Sequence, residues 1–349
     1  MPCPAGISEV LPLRPHFCSD AMDIGHIKSF LGDAWTAVEN NIDRALKSDI
    51  ALLDSINRAV LSHPGKQIRP LLALLAAKAC SGDGKVTEDS CRFAAASELL
   101  HNATLLHDDV ADESDRRRGV PTLNSLMGSS ASVLVGDYWL VAAMNMVLES
   151  DDSGHRVTRI FSKTLSDLAK GEMLQLQKAS SGDTVEEDYY RIIYYKTASL
   201  FESAMHSAAI SVSASEDIEE AVKKFASGLG SAFQIRDDIF DYSKDAMVGK
   251  PLGVDILEQK ITLPLLEAME NAGERMSKDI RDMVRHIHEH PEYRDEIVSF
   301  VHDYDGMERA TVKLDRFVNE AVSSLSVLRP SEAKDMLVDI AYYMAKRKN

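Results

Sequence analysis

A chain of 349 residues that is 45% hydrophobic and 27% charged has the profile of a globular protein and excludes an intrinsically disordered one. A net charge of −16 leaves no overall basic footprint for nucleic acid, so any anion must meet a local cluster of cations. No uninterrupted apolar run reaches the roughly 18 residues of a membrane span; the best stretch, residues 131–148, is broken by Asp137 and Asn145.

Residues 1–22 are proline-rich and show no helical period, and Glu9 sits where a signal peptide would carry its basic start or apolar core. They read as a loose extension: a mis-assigned start, a tag remnant or a native arm. From residue 23 to residue 349 the pattern is helical almost throughout. Apolar residues recur at three- and four-residue spacing over 27–45, 50–61, 88–107, 131–148, 157–176, 186–212 and 218–240. Thr87, followed by Asp89 and Ser90, reads as a helix start, and Thr184 with Glu187 has the spacing of a capping box. No linker divides the chain, so the expected fold is all-α, a single domain over 23–349. Cys3, Cys18, Cys80 and Cys91 show neither CxxC pairing nor the spacing of a disulfide framework, which points to a reduced, cytoplasmic setting.

One short motif occurs twice. Asp108-Asp109-Val110-Ala111-Asp112 and Asp237-Asp238-Ile239-Phe240-Asp241 share the spacing D-D-x-x-D, and each ends a long apolar stretch. Helical residues four apart share a face, so Asp108 neighbours Asp112 and Asp237 neighbours Asp241. Like charges at that spacing destabilise a helix unless a cation lies between them. Hard divalent cations such as Mg²⁺ are held by one or two carboxylates, with substrate phosphates and water completing the shell. Two facing clusters can therefore hold several Mg²⁺ ions around one diphosphate.

Cations follow in the same regions. Arg116, Arg117 and Arg118 come directly after the first motif, Lys250 follows the second, Lys260 lies in Gln259-Lys260-Ile261-Thr262, and Lys66 and Arg69 flank Gln67-Ile68. Singly, each reads as a solvated surface charge. Beside two acidic clusters they suggest a site for two diphosphates, one bound through metal and one held directly by Lys and Arg.

At this point the motifs resemble those of the trans-type isoprenyl diphosphate synthases, over about residues 62–346 and in that family's order. Gly65-Lys66-Gln67-Ile68-Arg69-Pro70 is similar to its G-G-K-x-x-R-P, with Pro64 in place of the first glycine. His107 to Asp112 with Arg117-Arg118-Gly119, and Phe233-Gln234-Ile235-Arg236-Asp237-Asp238, resemble its two aspartate-rich motifs. Gly171-Glu172-Met173-Leu174-Gln175, Lys196-Thr197, Gly249-Lys250-Pro251-Leu252-Gly253-Val254-Asp255 and Lys260-Ile261-Thr262-Leu263-Pro264 complete the set. The resemblance implies an isoprenoid synthase fold with long helices around a central apolar cavity, a homodimer, and head-to-tail condensation of isopentenyl diphosphate with an allylic diphosphate. By the family's roles, Asp108, Asp112 and Asp237 ligate Mg²⁺, three ions in all, with Asp109, Asp238 and Asp241 in support. Arg117, Lys196 and Lys260, with Lys250 close by, hold the allylic diphosphate; Lys66, Arg69, His101 and Arg118 bind isopentenyl diphosphate. His101 lies two helical turns before Asp108, which suits both facing one cavity, although alone it reads as a core histidine.

The implied chemistry is ionisation of an allylic C–O bond, attack by the homoallylic double bond, and proton loss to the released diphosphate. Thr197 and Gln234 are candidates for steadying the cation through oxygen dipoles. In this family an aromatic residue four or five places before the first Asp closes the cavity, and here those places hold Thr104 and Ala103. One C5 unit is about as long as one helical turn, roughly 5 Å, so an open cavity implies a long all-trans product of about C35–C50, with about C40 most typical. A bulky residue from another helix, Phe161, Met144 or Met146, would instead block the cavity and leave a shorter product of about C15–C20. Two rivals differ in motif content. A class I terpene cyclase usually has an Asn/Ser/Glu-type second motif and lacks the Lys66/Arg69 site, and a non-catalytic helical subunit typically loses an acidic motif.

Overall fold

The computed structural model describes residues 23–117, 119–150, 155–243 and 252–347. The extension over 1–22, Arg118 and Lys250 therefore lie outside the described residues. The helical periodicity becomes, in chain order, α1 (Ile24–Leu31), α2 (Asp33–Leu46), α3 (Ala51–Leu61), α4 (Ile68–Cys80), α5 (Glu88–Ala111), α6 (Leu123–Met127), α7 (Ser129–Leu148) and α8 (Arg156–Ser181). Next, α9 (Glu186–Ile193), a single π-helical turn (Tyr194–Ala198) and α10 (Ser199–Ser211) follow one another directly. The chain continues as α11 (Glu216–Asp241), α12 (Val254–Leu257), α13 (Leu263–Ala272), α14 (Glu274–Arg285), α15 (Tyr293–Asp303), α16 (Gly306–Ser324) and α17 (Glu332–Lys346). Among the described residues the strands are β1 (Arg116–Arg117) and β2 (Val120–Pro121), a small antiparallel hairpin straight after the first acidic motif. The all-α expectation holds.

One apolar core extends from Ile27 in α1 to Ala345 in α17. At its centre stand α5 and α11. The first packs against α2, α4, α7 and α10, and the second against α10, α16 and α17. Because α5 is surrounded, its buried residues go right round it, from Phe93, Ala94, Ala95 and Ala96 to Leu99, Leu100, Ala103 and Leu106. Its acidic end emerges where that cover stops.

Local chemistry sets the boundaries. Thr87 caps α5 by accepting from the Ser90 N–H, and Ser90 Oγ returns to the Thr87 N–H. The stretch 27–45 is not one helix. Gly32, at φ +52°, breaks it into α1 and α2, a left-handed conformation glycine adopts without steric cost. Thr184 is not the cap of α9. That place belongs to Val185, whose N–H is held by Asp188, and the Thr184 carbonyl accepts instead from Arg281 at 2.8 Å.

The expectation about spans needs correction. By length and composition α7 is long and apolar enough to cross a membrane, because Asp137 and Asn145 do not bring its mean hydropathy down far enough; 44% of its most apolar window is buried within the bundle.

The π-turn is gripped from two sides. A Cβ on Gly230 of α11 would lie 2.6 Å from Ala198 Cα, and one on Gly171 of α8 would lie 2.9 Å from Lys196 N. Gly230→Ala therefore drives a methyl into backbone. The expected result is a loss of about 1–3 kcal/mol, the usual cost of overpacking, read as a lower urea midpoint at unchanged m. An unchanged midpoint would show that α11 can move away without cost.

Candidate active site

Two helix ends deliver the acidic motifs. Asp108 and Asp109 lie in the last turn of α5, and Asp112 caps it, its N–H returning to the Asp108 carbonyl at 2.8 Å. Asp237, Asp238 and Asp241 close α11.

Four of these six carboxylates are engaged by neighbours that fix their orientation. Buried Asp109 accepts from Arg117 Nε at 2.8 Å. Buried Asp238 accepts from the Tyr189 hydroxyl at 2.6 Å on one oxygen and from Gln234 Nε2 at 2.9 Å on the other. Asp241 accepts the backbone N–H groups of Val254 at 3.0 Å and Asp255 at 3.1 Å, which ties the end of α11 to the start of α12. Asp237 pairs with Arg347. The carboxylates of Asp108 and Asp112 carry no hydrogen bond or ion pair among the described residues.

The motifs face one another across cations. Lys196 pairs with Glu172 at 2.7 Å, donates to Gln175 at 3.1 Å, and its charge acts on Asp108. Its neighbour Thr197 donates to Gln234 Oε1 at 2.9 Å, and Gln234 in turn holds Asp238. Adjacent residues of one π-turn thus act on both motifs, Lys196 by its charge and Thr197 through Gln234. Lys260 does the same from another side. Burial works against its ammonium, but hydrogen-bonded Glu258, Asp255 and Asp112 hold its pKa above the ordinary value. A cavity of about 120 Å³ runs between Gln175, Lys196, Gln234, Asp238, Asp255 and Lys260.

This site is short of positive charge. Burial, reinforced by Glu172 and only partly offset by Lys196, pushes Asp108 up to about 6. Burial likewise raises Asp238, Asp241 and Asp255. Among the described residues no group of three or more His, Cys, Asp or Glu converges closely enough to hold a metal ion alone. That donor set fits an ion taking one or two carboxylates and the rest of its shell from phosphate and water. Outside this cleft, His286, His288 and His290 each bond elsewhere, to the Asp282 carbonyl, the Leu257 carbonyl and Glu292.

The second basic group connects through an aromatic column. Arg69, at the start of α4, stacks 4.7 Å over Phe201. Phe201 lies 5.8 Å from Phe233, and Phe233 lies 4.1 Å beneath the Arg347 guanidinium that pairs with Asp237. The Arg347 carbonyl accepts from Arg236 Nε and Nη2 at 3.1 and 2.8 Å. Lys66 is exposed just before α4. His101 stands on α5 with its carbonyl accepting from Thr104 Oγ1 at 2.8 Å.

Counting back from Asp108 by helical geometry, one stripe of α5 carries Thr104, His101, Ser97 and Ala94, with Ala103 beside it, before reaching Phe93 about 22 Å away. There Phe93 meets Phe161 of α8, ring centres 6.4 Å apart, both buried. Met146 is buried too, and Met144 is half-buried.

The sequence reading missed several members of this site. Tyr189 and Phe201 look like ordinary core aromatics, and Arg347 lies 110 residues from its partner. Glu172 and Asp255 fall inside quoted motifs, and their acidity beside glycine was the available signal.

Comparison with known proteins agrees with this geometry. Residues 50–301 match the family model described as polyprenyl synthetase. Octaprenyl diphosphate synthase of Haemophilus influenzae is 36% identical over 329 residues, covering 94% of this chain and 98% of that protein. All-trans-nonaprenyl-diphosphate synthase (geranyl-diphosphate specific) of Rhodobacter capsulatus is 36% identical, covering 88% and 92%. The crystal structure of a decaprenyl diphosphate synthase from Rhodobacter capsulatus superposes with a TM-score of 0.86 at 32% identity, covering 93% and 99%. A polyprenyl synthase from Caulobacter crescentus, complexed with calcium and isoprenyl diphosphate, gives 0.83 at 27% identity, covering 94% and 98%.

Proposed function

The chain belongs to the polyprenyl synthetase family, and from that premise we propose that it condenses isopentenyl diphosphate with an allylic diphosphate at the cleft between its two acidic motifs. It is a transferase, a long-chain trans-prenyl diphosphate synthase with products in the C35–C50 range. The observation that carries the site is the Lys196-Thr197 pair: the charge of the first acts on Asp108 of the first motif, and the hydroxyl of the second donates to Gln234 of the second.

A relative crystallised with calcium and isoprenyl diphosphate supports the use of a divalent metal. We assign Mg²⁺, three ions, to Asp108, Asp112 and Asp237. Asp109, Asp238 and Asp241 act in support, a reading favoured by the hydrogen bonds that already occupy them. Bound there, the ions stabilise the charge that develops on the departing diphosphate.

The protein's own groups do the rest. Lys196 and Lys260, with Arg117 and Lys250, neutralise the diphosphate oxygens as the allylic C–O bond breaks. Thr197 and Gln234 turn oxygen dipoles toward the carbocation, whose apolar surroundings keep water from capturing it. Lys66, Arg69, His101 and Arg118 orient isopentenyl diphosphate so that its double bond supplies the electron pair of the new C–C bond. The proton then lost passes to the released diphosphate. Incubation with labelled isopentenyl diphosphate, an allylic diphosphate and Mg²⁺ tests this; absence of any chain-extended product, with metal present, would refute it.

The protein works as a homodimer in this reading, in the cytoplasm. Leu134, Val141 and Leu148 of α7 are 68%, 53% and 59% exposed, an apolar face that a second copy would cover. Free Cys80 and Cys91, which burial pushes up to about 12 and about 11, are in keeping with a reduced setting. Leu134→Glu is expected to convert a dimer to monomer in light scattering. A wild type that is already monomeric would point instead to a different partner chain, as the name "component 2" of a heptaprenyl diphosphate synthase relative suggests for that protein.

A further inference from the structure

A second and larger cavity, about 740 Å³, lies between α8, α9 and the π-turn and shares no lining residue with the acidic cleft. Tyr190, Tyr194 and Tyr195 line it together with Lys163, Lys170 and Arg191. Most other charges there are engaged. Lys163 pairs with buried Asp167 at 2.5 Å, and Glu186 pairs with Lys313, which lies outside the wall. Glu187 is exposed. Lys170 and Arg191 carry no ion pair among the described residues. In a chain of net charge −16 the lining is locally neutral, three cations against three carboxylates, and two of those cations stand without an ion pair beside three phenol rings. The guanidinium fork and the ammonium match the two charges of a phosphate monoester, and the rings offer faces for stacking.

We propose that this cavity binds a small aromatic phosphate ester, and that its occupancy is felt at Lys196. The coupling rests on the reading that Lys196 holds the allylic diphosphate; the binding does not. Tyr194 and Tyr195 belong to the same π-turn as Lys196 and Thr197. That turn is closed by the Ser199 N–H on the Tyr194 carbonyl and by Ser199 Oγ on the Tyr195 carbonyl at 2.8 Å. Gly171 leaves no slack behind it, since a Cβ there would sit 2.9 Å from both Lys196 N and Tyr195 Cβ. A ligand on the tyrosine side of a segment held this tightly acts on Lys196 through the backbone it shares with Tyr194 and Tyr195.

The test titrates phenyl phosphate into the full chain by calorimetry, with the acidic cleft filled by isopentenyl diphosphate, a non-ionisable allylic thiolodiphosphate and Mg²⁺. Inorganic phosphate and phenol serve as separate probes of charge and ring. Phenyl phosphate is expected to bind at least tenfold more tightly than either, and the Lys170→Glu/Arg191→Glu variant to lose tenfold or more while keeping its basal condensation rate within twofold. In steady-state assays phenyl phosphate should shift the KM for the allylic diphosphate at least twofold in wild type and leave the variant unmoved. Equal binding by wild type and variant, or by phenyl and inorganic phosphate, overturns the site. Binding without a KM shift overturns the coupling. Failure of the condensation reading would appear as no turnover, and the calorimetric comparison would still stand.

Discussion

Asp108→Asn is expected to lower kcat by about a hundred- to a thousandfold or more, with the fold intact by circular dichroism. The substitution keeps the shape and removes the charge. Asp108 has no hydrogen-bonding partner on its carboxylate to disturb, so the loss falls on whatever cation the carboxylate holds. Tyr189→Phe should cost far less, because it removes one of two donors to Asp238 and leaves Gln234 in place. Chelation of divalent metal should reduce wild type and variant to the same floor. The pH dependence separates them further. Burial holds the Asp108 proton up to about 6, above the ordinary 3.8, and a metal ion must compete with that proton. At subsaturating metal the wild-type rate therefore falls as pH drops through about 6, and because Asp238 is raised to about 6 as well, Asp108→Asn should make that limb shallower and not abolish it. A variant within tenfold of wild type would remove Asp108 from the chemistry.

Ala103→Tyr is expected to cut the product from the long-chain range to about C15–C20, and Thr104→Tyr to act in the same direction, since each C5 unit spans about one helical turn. Both positions lie about one turn beyond Asp108, where the tail has just left the reacting end. The converse is also readable. The Phe93–Phe161 pair stands about 22 Å, or roughly four units, down the same helix, so longer products must pass it. Phe161→Ala should open that point and move the distribution up by at least one C5 unit. Products can be sized by chromatography after dephosphorylation. An unchanged distribution in all three variants would place the tail along some helix face other than this stripe of α5.

The motifs were legible because carboxylates gathered at the end of an apolar stretch violate the pattern around them, and a violation carries information. Asp108, Asp112 and Asp237 stood out for that reason, and so did the cations after them. The helices α5, α7, α8 and α11 were visible as periodicity, although α1 and α2 merged until Gly32 turned left-handed. The π-turn left no trace. Residues 186–212 keep an unbroken helical pattern, because one extra residue in a single turn shifts phase by less than the width of an apolar face. Tyr189 was hidden differently. A buried tyrosine is usually core, and its bond to Asp238 exists only once two distant helices meet. Arg347 was invisible for the same reason, since nothing local ties it to Asp237.

That last pairing makes the two acidic ends unlike each other. At Asp108 an arriving divalent ion is an addition to a spot starved of counter-charge, whereas at Asp237 it is a displacement, because an arginine clasped by two phenylalanines is already seated there. Filling should accordingly proceed in sequence, first helix before second, and the later step should loosen the end of α17 from the bundle's mouth.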